Sequence, residues 1–260
     1  MMTDSRVLHL DGVHNFRDYG GYAVSGGGKV RRGLLWRSGQ HVNASAADLG
    51  AIDALALAHV IDLRGNAERA GAPCLRGPTF CAEVHYYDGE TAYLAPHLEA
   101  SGGLLDADAA GRALERIYRD LARREPVLWG LRRYFDVLAR GDGASLVHCM
   151  AGKDRTGMAV ALLHHALGVH PDDAMADFML TNSAGNIEAR IAAGTKAVRD
   201  RYGEISDETV RVLMGVDESY LAAMREAVEV EFGSIDGFME SVLGVDADRR
   251  EALRLHLVEG

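Results

Sequence analysis

The sequence contains few cysteines, few prolines and no long apolar run. Its 260 residues include Cys74, Cys81 and Cys149, an odd number without Cys-x-x-Cys spacing. This disfavours a disulfide scaffold and favours a reducing compartment. No apolar stretch reaches the roughly 18 residues needed to cross a bilayer, and the start of the chain, MMTDSRVLHLDG, has no apolar signal segment. These features predict a cytoplasmic protein without stable membrane insertion, although export without a classical signal peptide would leave no mark in the sequence.

Positive charge is also scarce. Lysine and arginine total 28 against 38 acidic residues, which gives a formal net charge of −10. A general nucleic-acid-binding protein is usually basic, so we expect no nucleic-acid partner. Any binding of phosphate must therefore depend on a pocket that is locally cationic.

What the sequence does contain indicates an α/β fold with a central sheet flanked by helices. Strands are expected near 22–24, 34–37, 59–63 and 81–87 and in the apolar run before Cys149, with helices near 46–58, 109–122, 126–140 and 155–167. After Pro171 the pattern indicates only helices, at about 171–181, 184–202, 207–214, 217–231, 235–243 and 247–257. Plausible N-caps are Ser45, Asp207, Asp217, Ser234 and Asp246. We therefore expect one domain over 1–260, with an α/β core over 1–170 and a helical C-terminal half over 171–260.

The most informative stretch is HCMAGKDRTG, from His148 to Gly157. Five residues separate Cys149 from Arg155, in a loop that joins a predicted strand to a predicted helix. The N-terminus of a helix attracts anions through its unsatisfied N–H groups and partial positive charge. Gly152 allows the loop to curl its amides around a tetrahedral anion, and the planar guanidinium of Arg155 can hold two phosphate oxygens.

The same positive field favours the thiolate form of Cys149, which is the form that attacks phosphorus. Thr156 is placed to hydrogen-bond the sulfur, and His148 to orient the loop. The competing interpretation is a buried, inert cysteine beside a helix N-terminus. A Walker nucleotide-binding loop is disfavoured, because no Ser or Thr follows Lys153 and the first glycine of that motif is missing.

HCMAGKDRTG resembles the signature of cysteine-dependent protein phosphatases. Its Lys-Asp-Arg version is similar to the bacterial tyrosine-phosphatase family that includes multi-specific, phosphoinositide-phosphatase-like members. Other matching stretches are NFRDYGGY at 15–22, WRSGQ at 36–40, VIDLRGNAE at 60–68 and the tail EFGSIDGFMESVLGV. The resemblance implies a cysteine-phosphatase-like fold over nearly the whole chain. It also implies hydrolysis of phosphomonoesters through a phosphocysteine intermediate, with no metal or other cofactor.

The same resemblance implies a role for each loop residue. The nucleophile is Cys149, the phosphate-binding residue is Arg155, and the loop amides that would hold phosphate are those of Met150, Ala151, Gly152, Lys153, Asp154 and Arg155. Lys153 matches a lysine that supplies charge to the substrate in phosphoinositide-cleaving relatives. The stretch 89–125 lies where some relatives carry a helical lid. The expected partners are a phosphorylated protein or a phosphoinositide as substrate, and phosphate as product.

An alkyl phosphate needs a proton donor, because an alkoxide is a poor leaving group; a tyrosine phenolate needs one less. Asp154 lies in the loop and is favoured as the acid by the resemblance, although its cationic neighbours favour the ionised form. Asp62 ends a predicted strand at the edge where ligands bind in open sheets, but an ion pair with Arg64 explains it equally well. Asp88 is the third candidate and lacks the Trp-Pro-Asp motif of a mobile acid loop.

Other interpretations remain open at this point. His164 and His165 are adjacent on a predicted helix and point in different directions, which disfavours a metal pair. Cys81 could form a protective disulfide with Cys149, but a buried strand position explains it better. The alternative functions are a non-catalytic phosphate-binding module, a phosphatase of a small-molecule phosphate ester, and a sulfurtransferase or arsenate reductase.

Overall fold

The computed structural model describes residues 5–91, 106–184, 187–202 and 205–260. Its centre is a five-stranded sheet in the order β1-β3-β6-β4-β5. The strands are β1 (Arg17–Asp18), β3 (Leu35–Ser38), β6 (Ala144–His148), β4 (Leu57–Asp62) and β5 (Glu83–Tyr86). Only the β1–β3 pair of this sheet is antiparallel, and its other neighbouring strands are parallel. The parallel strands therefore bring their carboxyl ends to one edge of the sheet.

Helices pack around this sheet, as predicted. The first part of the chain forms α1 (Ala46–Asp53), α2 (Asn66–Gly71), α3 (Ala107–Leu121), α4 (Glu125–Arg140) and α5 (Asp154–Leu167). The C-terminal half forms α6 (Pro171–Met179), a short 3₁₀ turn (Leu180–Asn182), α7 (Ile187–Tyr202), α8 (Asp207–Met214), α9 (Glu218–Phe232), α10 (Ile235–Ser241) and α11 (Ala247–Leu257). Among the described residues, no helix is long and apolar enough to cross a membrane.

Capping residues fix several helix starts. Ser45 caps α1 through a capping box with Asp48, so each side chain accepts a hydrogen bond from the other residue's backbone N–H. Asp217, Ser234 and Asp246 cap α9, α10 and α11 as expected. The cap of α8 is Ser206, one residue before the expected Asp207. These local hydrogen bonds explain why the helix starts were more predictable than most of the ends.

The two faces of the sheet pack against separate hydrophobic clusters. Ile61 and Val147 belong to the larger cluster, which includes α3, α4, α5 and most of the C-terminal helices. Their neighbours Val60 and Leu146 belong to the smaller cluster, which lies against α1 and the N-terminal segment. This alternation follows from the two-residue period of a strand. It leaves the polar strand ends at the edge of the sheet.

Four predictions about the elements were wrong. The strand expected at 22–24 is not formed, since Ala23 and Val24 make only isolated bridges, to Lys29 and Val169. The described part of the C-terminal half contains a strand besides its helices, β7 (Val258–Glu259), which pairs with β2 (Lys29–Val30). Helix α1 ends at Asp53 rather than near residue 58, and Ala56 in the following turn has φ of 48°. Cys81 precedes β5 and is exposed rather than buried in a strand. Each of the last three misses involves either a long-range strand pairing or a turn without a strong breaker residue.

The possible lid over 89–125 falls partly outside the described residues, which do not include 92–105. Residues 107–121 form α3, whose N-cap is Asp106. The apolar side of α3 is buried in the main core through Leu114, Ile117 and Leu121. This part of the stretch is therefore a packed structural helix.

Candidate active site

The loop between β6 and α5 lies at the carboxyl edge of the sheet. His148 is the last residue of β6, the central strand of the sheet, and Asp154 is the first residue of α5. The expected strand–loop–helix arrangement is therefore present, and Arg155 lies in the first turn of the helix. Cys149 is 2% exposed. The chain thus places a thiol, a helix N-terminus and a guanidinium in one short segment.

A tight backbone contact fixes the middle of the loop. Gly152 has φ of +68°, and a Cβ at this position would lie 2.3 Å from the carbonyl oxygen of Ser38. Its own carbonyl accepts hydrogen bonds from Asn15 Nδ2 at 2.7 Å and Arg37 Nη2 at 3.0 Å. The backbone N–H of Gln40 donates to the Met150 carbonyl at 2.9 Å. Glycine is therefore required here, and β3 with the preceding segment holds the loop in place.

The loop backbone keeps donors available on its other side. Among the described residues, the N–H groups of Met150, Ala151 and Gly152 donate to no protein acceptor. The hydroxyl of Thr156 is fully buried and also has no hydrogen-bond partner there. A buried hydroxyl without a partner is rare in folded proteins. Together with the three loop amides, it fits a loop that surrounds an anion.

A buried ion-pair network supports Arg37. Arg37 Nη1 donates to Asp177 Oδ2 at 2.7 Å, and Arg17 Nη2 donates to the Asp177 carbonyl at 2.7 Å. All three side chains are fully buried. Burial opposes ionisation of Asp177, but the charges of Arg17 and Arg37 outweigh it and hold its pKa well below the ordinary value. Helix α6, in the C-terminal half, thus contributes to the position of the loop.

Arg155 is held by a carboxylate that sequence reasoning did not single out. Its Nη1 and Nη2 donate to Glu68 Oε2 at 2.6 Å and Oε1 at 2.7 Å, a bidentate pair. Nη1 also donates to the Leu63 carbonyl at 3.0 Å and to Thr91 Oγ1 at 2.8 Å. Nε is buried without a hydrogen-bond partner among the described residues.

Glu68 and Arg155 are both held in their charged forms. Burial opposes ionisation of both groups, but their mutual attraction lowers the pKa of Glu68 and raises that of Arg155. Arg155 is therefore a rigid, permanently charged fork rather than a mobile surface side chain.

Asp154 and Lys153 form a second buried pair. Lys153 Nζ lies 3.0 Å from Asp154 Oδ1 and donates to the Gly215 carbonyl at 3.0 Å. Tyr118 on α3 donates its hydroxyl proton to the same Asp154 oxygen at 2.9 Å. Burial, together with the charge of Asp154, raises the pKa of Tyr118 well above its ordinary value. Tyr118 is therefore a permanent donor to this carboxylate.

Asp62 pairs with Arg64. Its Oδ1 accepts from Arg64 Nε at 2.9 Å and its Oδ2 from Arg64 Nη2 at 2.8 Å. Burial opposes its ionisation, but the nearby His148 and the charge and hydrogen bonds of Arg64 lower its pKa to about 2. His148 is itself fully buried, which lowers its pKa to about 4. These contacts correspond to the ion-pair alternative for Asp62, and an acid with this pKa is ionised at neutral pH.

The remaining sequence candidates lie apart from the loop contacts. Asp88 is exposed and accepts a hydrogen bond from Asn66 Nδ2 at 3.1 Å. His164 is buried against the Tyr19 carbonyl, whereas His165 pairs with Asp236 on the surface. The three cysteines are free thiols. His164 and His165 therefore point to different surroundings, as the helix geometry requires.

Sequence reasoning missed part of the supporting structure. Asn15, Arg37 and Glu68 lie within the stretches that resemble the phosphatase family. The sequence therefore marked their positions, but residue spacing alone did not reveal their roles. Asp177 and Tyr118 had no such signal, because their positions depend on how α6 and α3 pack against the loop. The residues that hold a site are spread over the chain, and only folding shows which of them meet.

This arrangement of thiol, loop, helix N-terminus and arginine is the one that the resemblance to cysteine-dependent phosphatases implied. The chain belongs to the tyrosine phosphatase family, whose model matches residues 8–259. It is similar to a candidate tyrosine-protein phosphatase of Cupriavidus necator, with 35% identity over 257 residues, 97% of this chain and 89% of the relative. It is also similar to the triple specificity protein phosphatase PtpB of Mycobacterium tuberculosis, with 31% identity over 267 residues, 90% of this chain and 92% of the relative. The predicted family and enzyme class, a protein-tyrosine phosphatase, are confirmed.

Proposed function

We propose that this phosphatase hydrolyses phosphotyrosine in proteins with Cys149 as nucleophile, Arg155 as transition-state clamp and Asp154 as general acid. The observation that carries these roles is the Arg155 fork, which Glu68 fixes at the N-terminus of α5 beside Cys149. A preorganised cation and amide donors stabilise charge that develops on the phosphoryl oxygens. Their positions do not have to be adjusted during the reaction.

The reaction has two steps. The Cys149 thiolate attacks phosphorus, the bond from phosphorus to the leaving oxygen breaks, and Asp154 gives its proton to that oxygen. Water then attacks the phosphocysteine, Asp154 takes the proton from the water, and phosphate leaves as the thiolate is restored. Thr156 is proposed to donate its hydroxyl proton to the sulfur, and the amides of Met150, Ala151, Gly152 and Lys153 to hold the equatorial oxygens.

Two contacts hold Asp154 in place. Lys153 Nζ lies 3.0 Å from its Oδ1, and Tyr118 donates its hydroxyl proton to the same oxygen. The same contacts aim the carboxyl group, so Asp154 is ready to transfer a proton once the substrate is bound. Asp62 is proposed to act on the substrate only indirectly, through Arg64.

A wide cleft of about 880 Å³ adjoins the lysine side of the loop. Gly215, which binds Lys153, and Tyr220, which packs on Tyr118, both line it. The charged residues of its walls are mostly acidic: Asp108, Glu115, Glu188, Glu208 and Asp217 against Arg112 and Arg211. Such a surface attracts basic peptide segments and repels anionic lipid headgroups. This supports a protein substrate with basic residues near the phosphotyrosine.

A broader range of substrates is the second proposal. One relative is named a triple specificity phosphatase, and Lys153 places a buried cation next to Asp154. We propose slower activity on phosphoserine, phosphothreonine and phosphoinositides. The panel that tests this compares kcat/KM for a phosphotyrosine peptide, its phosphothreonine analogue and a soluble phosphoinositide at matched concentrations. Phosphotyrosine should be preferred, and a preference for the phosphoinositide would contradict the main proposal.

The nucleophile is tested with para-nitrophenyl phosphate. Cys149→Ser should reduce the release of phosphate by several orders of magnitude, roughly as removal of other catalytic nucleophiles does. Cys81→Ser is the matched control and should retain wild-type activity. If wild type and Cys149→Ser bound phosphate and were equally inactive, the chain would instead be a phosphate-binding module.

A further inference from the structure

A cluster of two histidines and a glutamate lies at the opposite edge of the sheet from Cys149. His59 and Glu83 are register partners on β4 and β5, and His85 lies two residues after Glu83 on the same face of β5. His59 is also paired with Ser145 near the start of β6, whereas Cys149 follows the end of that strand. One nitrogen or oxygen from each of His59, Glu83 and His85 lies within 4.8 Å of the others.

We propose that His59, Glu83 and His85 form a binding site for a divalent transition-metal ion, with Zn²⁺ as the best-suited ion. The site would take His59 Nδ1, His85 Nε2 and one Glu83 carboxylate oxygen, and a water molecule would complete a tetrahedron. Two imidazoles and a carboxylate are a typical ligand set for zinc.

The distances fit such an ion. Two nitrogens bound to a tetrahedral zinc at about 2.0–2.1 Å lie about 3.3–3.4 Å from each other. His59 Nδ1 and His85 Nε2 are 3.1 Å apart, and Glu83 Oε2 is 3.7 Å from His59 Nδ1. The separation of the two nitrogens is therefore within a few tenths of an ångström of that in a zinc-bound pair. Both imidazoles are buried, at 6% and 5% exposure, so their rings are held near these positions.

The surroundings of His59 match those of a metal ligand. Its other nitrogen, Nε2, lies 2.8 Å from Asp142 Oδ1. Ligating histidines usually donate their second ring N–H to a carboxylate or carbonyl, which fixes the tautomer and orients the ring. Asp142 therefore leaves Nδ1 of His59 as the unprotonated ring nitrogen. The Glu83 side chain is more than half exposed, which gives an ion a route from solvent.

The guanidinium of Arg133 opposes binding. Arg133 Nε lies 3.1 Å from His85 Nδ1, and Arg133 Nη2 lies 3.6 Å from Glu83 Oε1. Donation from Arg133 favours the His85 tautomer with the proton on Nε2, which an ion must displace. The guanidinium also repels a cation. Arg133 is partly exposed, and its side chain has to turn toward solvent when the ion binds.

Because Arg133 opposes metal binding, replacing it distinguishes a metal site from a chain of hydrogen bonds with a purely structural role. Zn²⁺ is titrated by calorimetry into the full-length Cys149→Ser protein, which removes the catalytic thiol as a competing ligand. We expect one equivalent to bind. Glu83→Ala and His59→Gln should each weaken the affinity by at least about tenfold, whereas Arg133→Met should strengthen it several-fold. Anomalous diffraction at the zinc edge should place the ion between the two imidazoles.

Controls separate this site from other zinc ligands. His165→Gln removes a surface histidine, and Cys81→Ser removes the exposed thiol two residues before Glu83; neither should change the affinity. The site is also independent of catalysis, so Glu83→Ala should retain wild-type hydrolysis of para-nitrophenyl phosphate. Because Glu83 is exposed, this variant is expected to fold even if His59→Gln does not. Unchanged zinc binding in Glu83→Ala, or weaker binding in Arg133→Met, would overturn the proposal.

Discussion

Arg155 and Lys153 are two cations of the same loop, and they are held by different parts of the chain. Arg155 takes its position from Glu68, the Leu63 carbonyl and Thr91. Lys153 takes its position from the Gly215 carbonyl, at the end of α8 in the helical half. The arginine is thus fixed by the α/β core, and the lysine by the helical half.

The difference separates two tasks. In the proposed mechanism, phosphate binding and transition-state stabilisation depend on Arg155, whose buried fork is held by Glu68, a side chain that is 10% exposed. Proton delivery is proposed to depend on Asp154, which lies between Lys153 and Tyr118. Changes in the helical half are therefore expected to alter leaving-group and substrate preference before they alter the basic chemistry.

Among the variants that test this comparison, Asp154→Asn should have the largest effect. Loss of the general acid should reduce kcat/KM for an alkyl phosphate by about 10²–10⁴-fold and for an aryl phosphate with a good leaving group much less. Both rates are measured by release of phosphate. Equal losses on the two substrates would assign Asp154 a positioning role instead.

Glu68→Gln tests the ion pair that holds Arg155. Arg155 would keep a hydrogen-bond acceptor but lose its charged bidentate partner, so we expect kcat/KM to fall by about 10–100-fold, as for other residues that orient a functional group. This loss should be similar for aryl and alkyl phosphates, because it acts before proton transfer. Glu90→Gln is the control, since Glu90 accepts from the Ala67 N–H and does not contact Arg155.

Lys153→Met tests the contribution of the Lys153 charge to substrate preference. If the cation contributes charge to the substrate, kcat/KM should fall about tenfold more for a phosphoinositide than for an aryl phosphate, which corresponds to roughly 1.4 kcal/mol. Misfolding would lower kcat/KM for both substrates by the same factor. The difference between the two losses is therefore an internal control for misfolding. Equal losses on all alkyl phosphates, with none on aryl phosphates, would show that Lys153 acts through Asp154.

The smallest effect on catalysis should come from Asp62→Asn, which is instead a test of stability. The pKa of Asp62 falls on folding from 3.8 to about 2, so its ionisation contributes about 2–3 kcal/mol to folding at neutral pH. A lowered carboxyl pKa stabilises the fold above the unfolded-state pKa, and this contribution disappears as the pH falls through the folded-state pKa. Urea unfolding should therefore show the variant less stable at pH 7.

The same comparison should be repeated at lower pH. The difference in unfolding free energy between wild type and Asp62→Asn should shrink as the pH falls from about 4 toward 2. A difference that did not depend on pH would mean that the ion pair with Arg64 does not control the ionisation of Asp62.

The central strand, the loop and the helix after it were predictable, because apolar runs and a cysteine–arginine spacing are local features of the sequence. The N-caps Ser45 and Asp217 were predictable for the same reason. The pairing of β2 with β7 was not, since two-residue strands have almost no periodicity. The residues that hold the loop were not predictable either. Glu68 contacts Arg155, and Asp177 contacts Arg37, only because distant elements pack together.

The network around Asp177 also has a consequence for the order in which the protein is made. Arg17 and Arg37 leave the ribosome well before residue 177, and both are buried against its carboxylate in the finished structure. A nascent chain that already contains the complete loop still lacks the counter-ion for these two arginines. The enzyme is therefore expected to become active only after α6 has been synthesised.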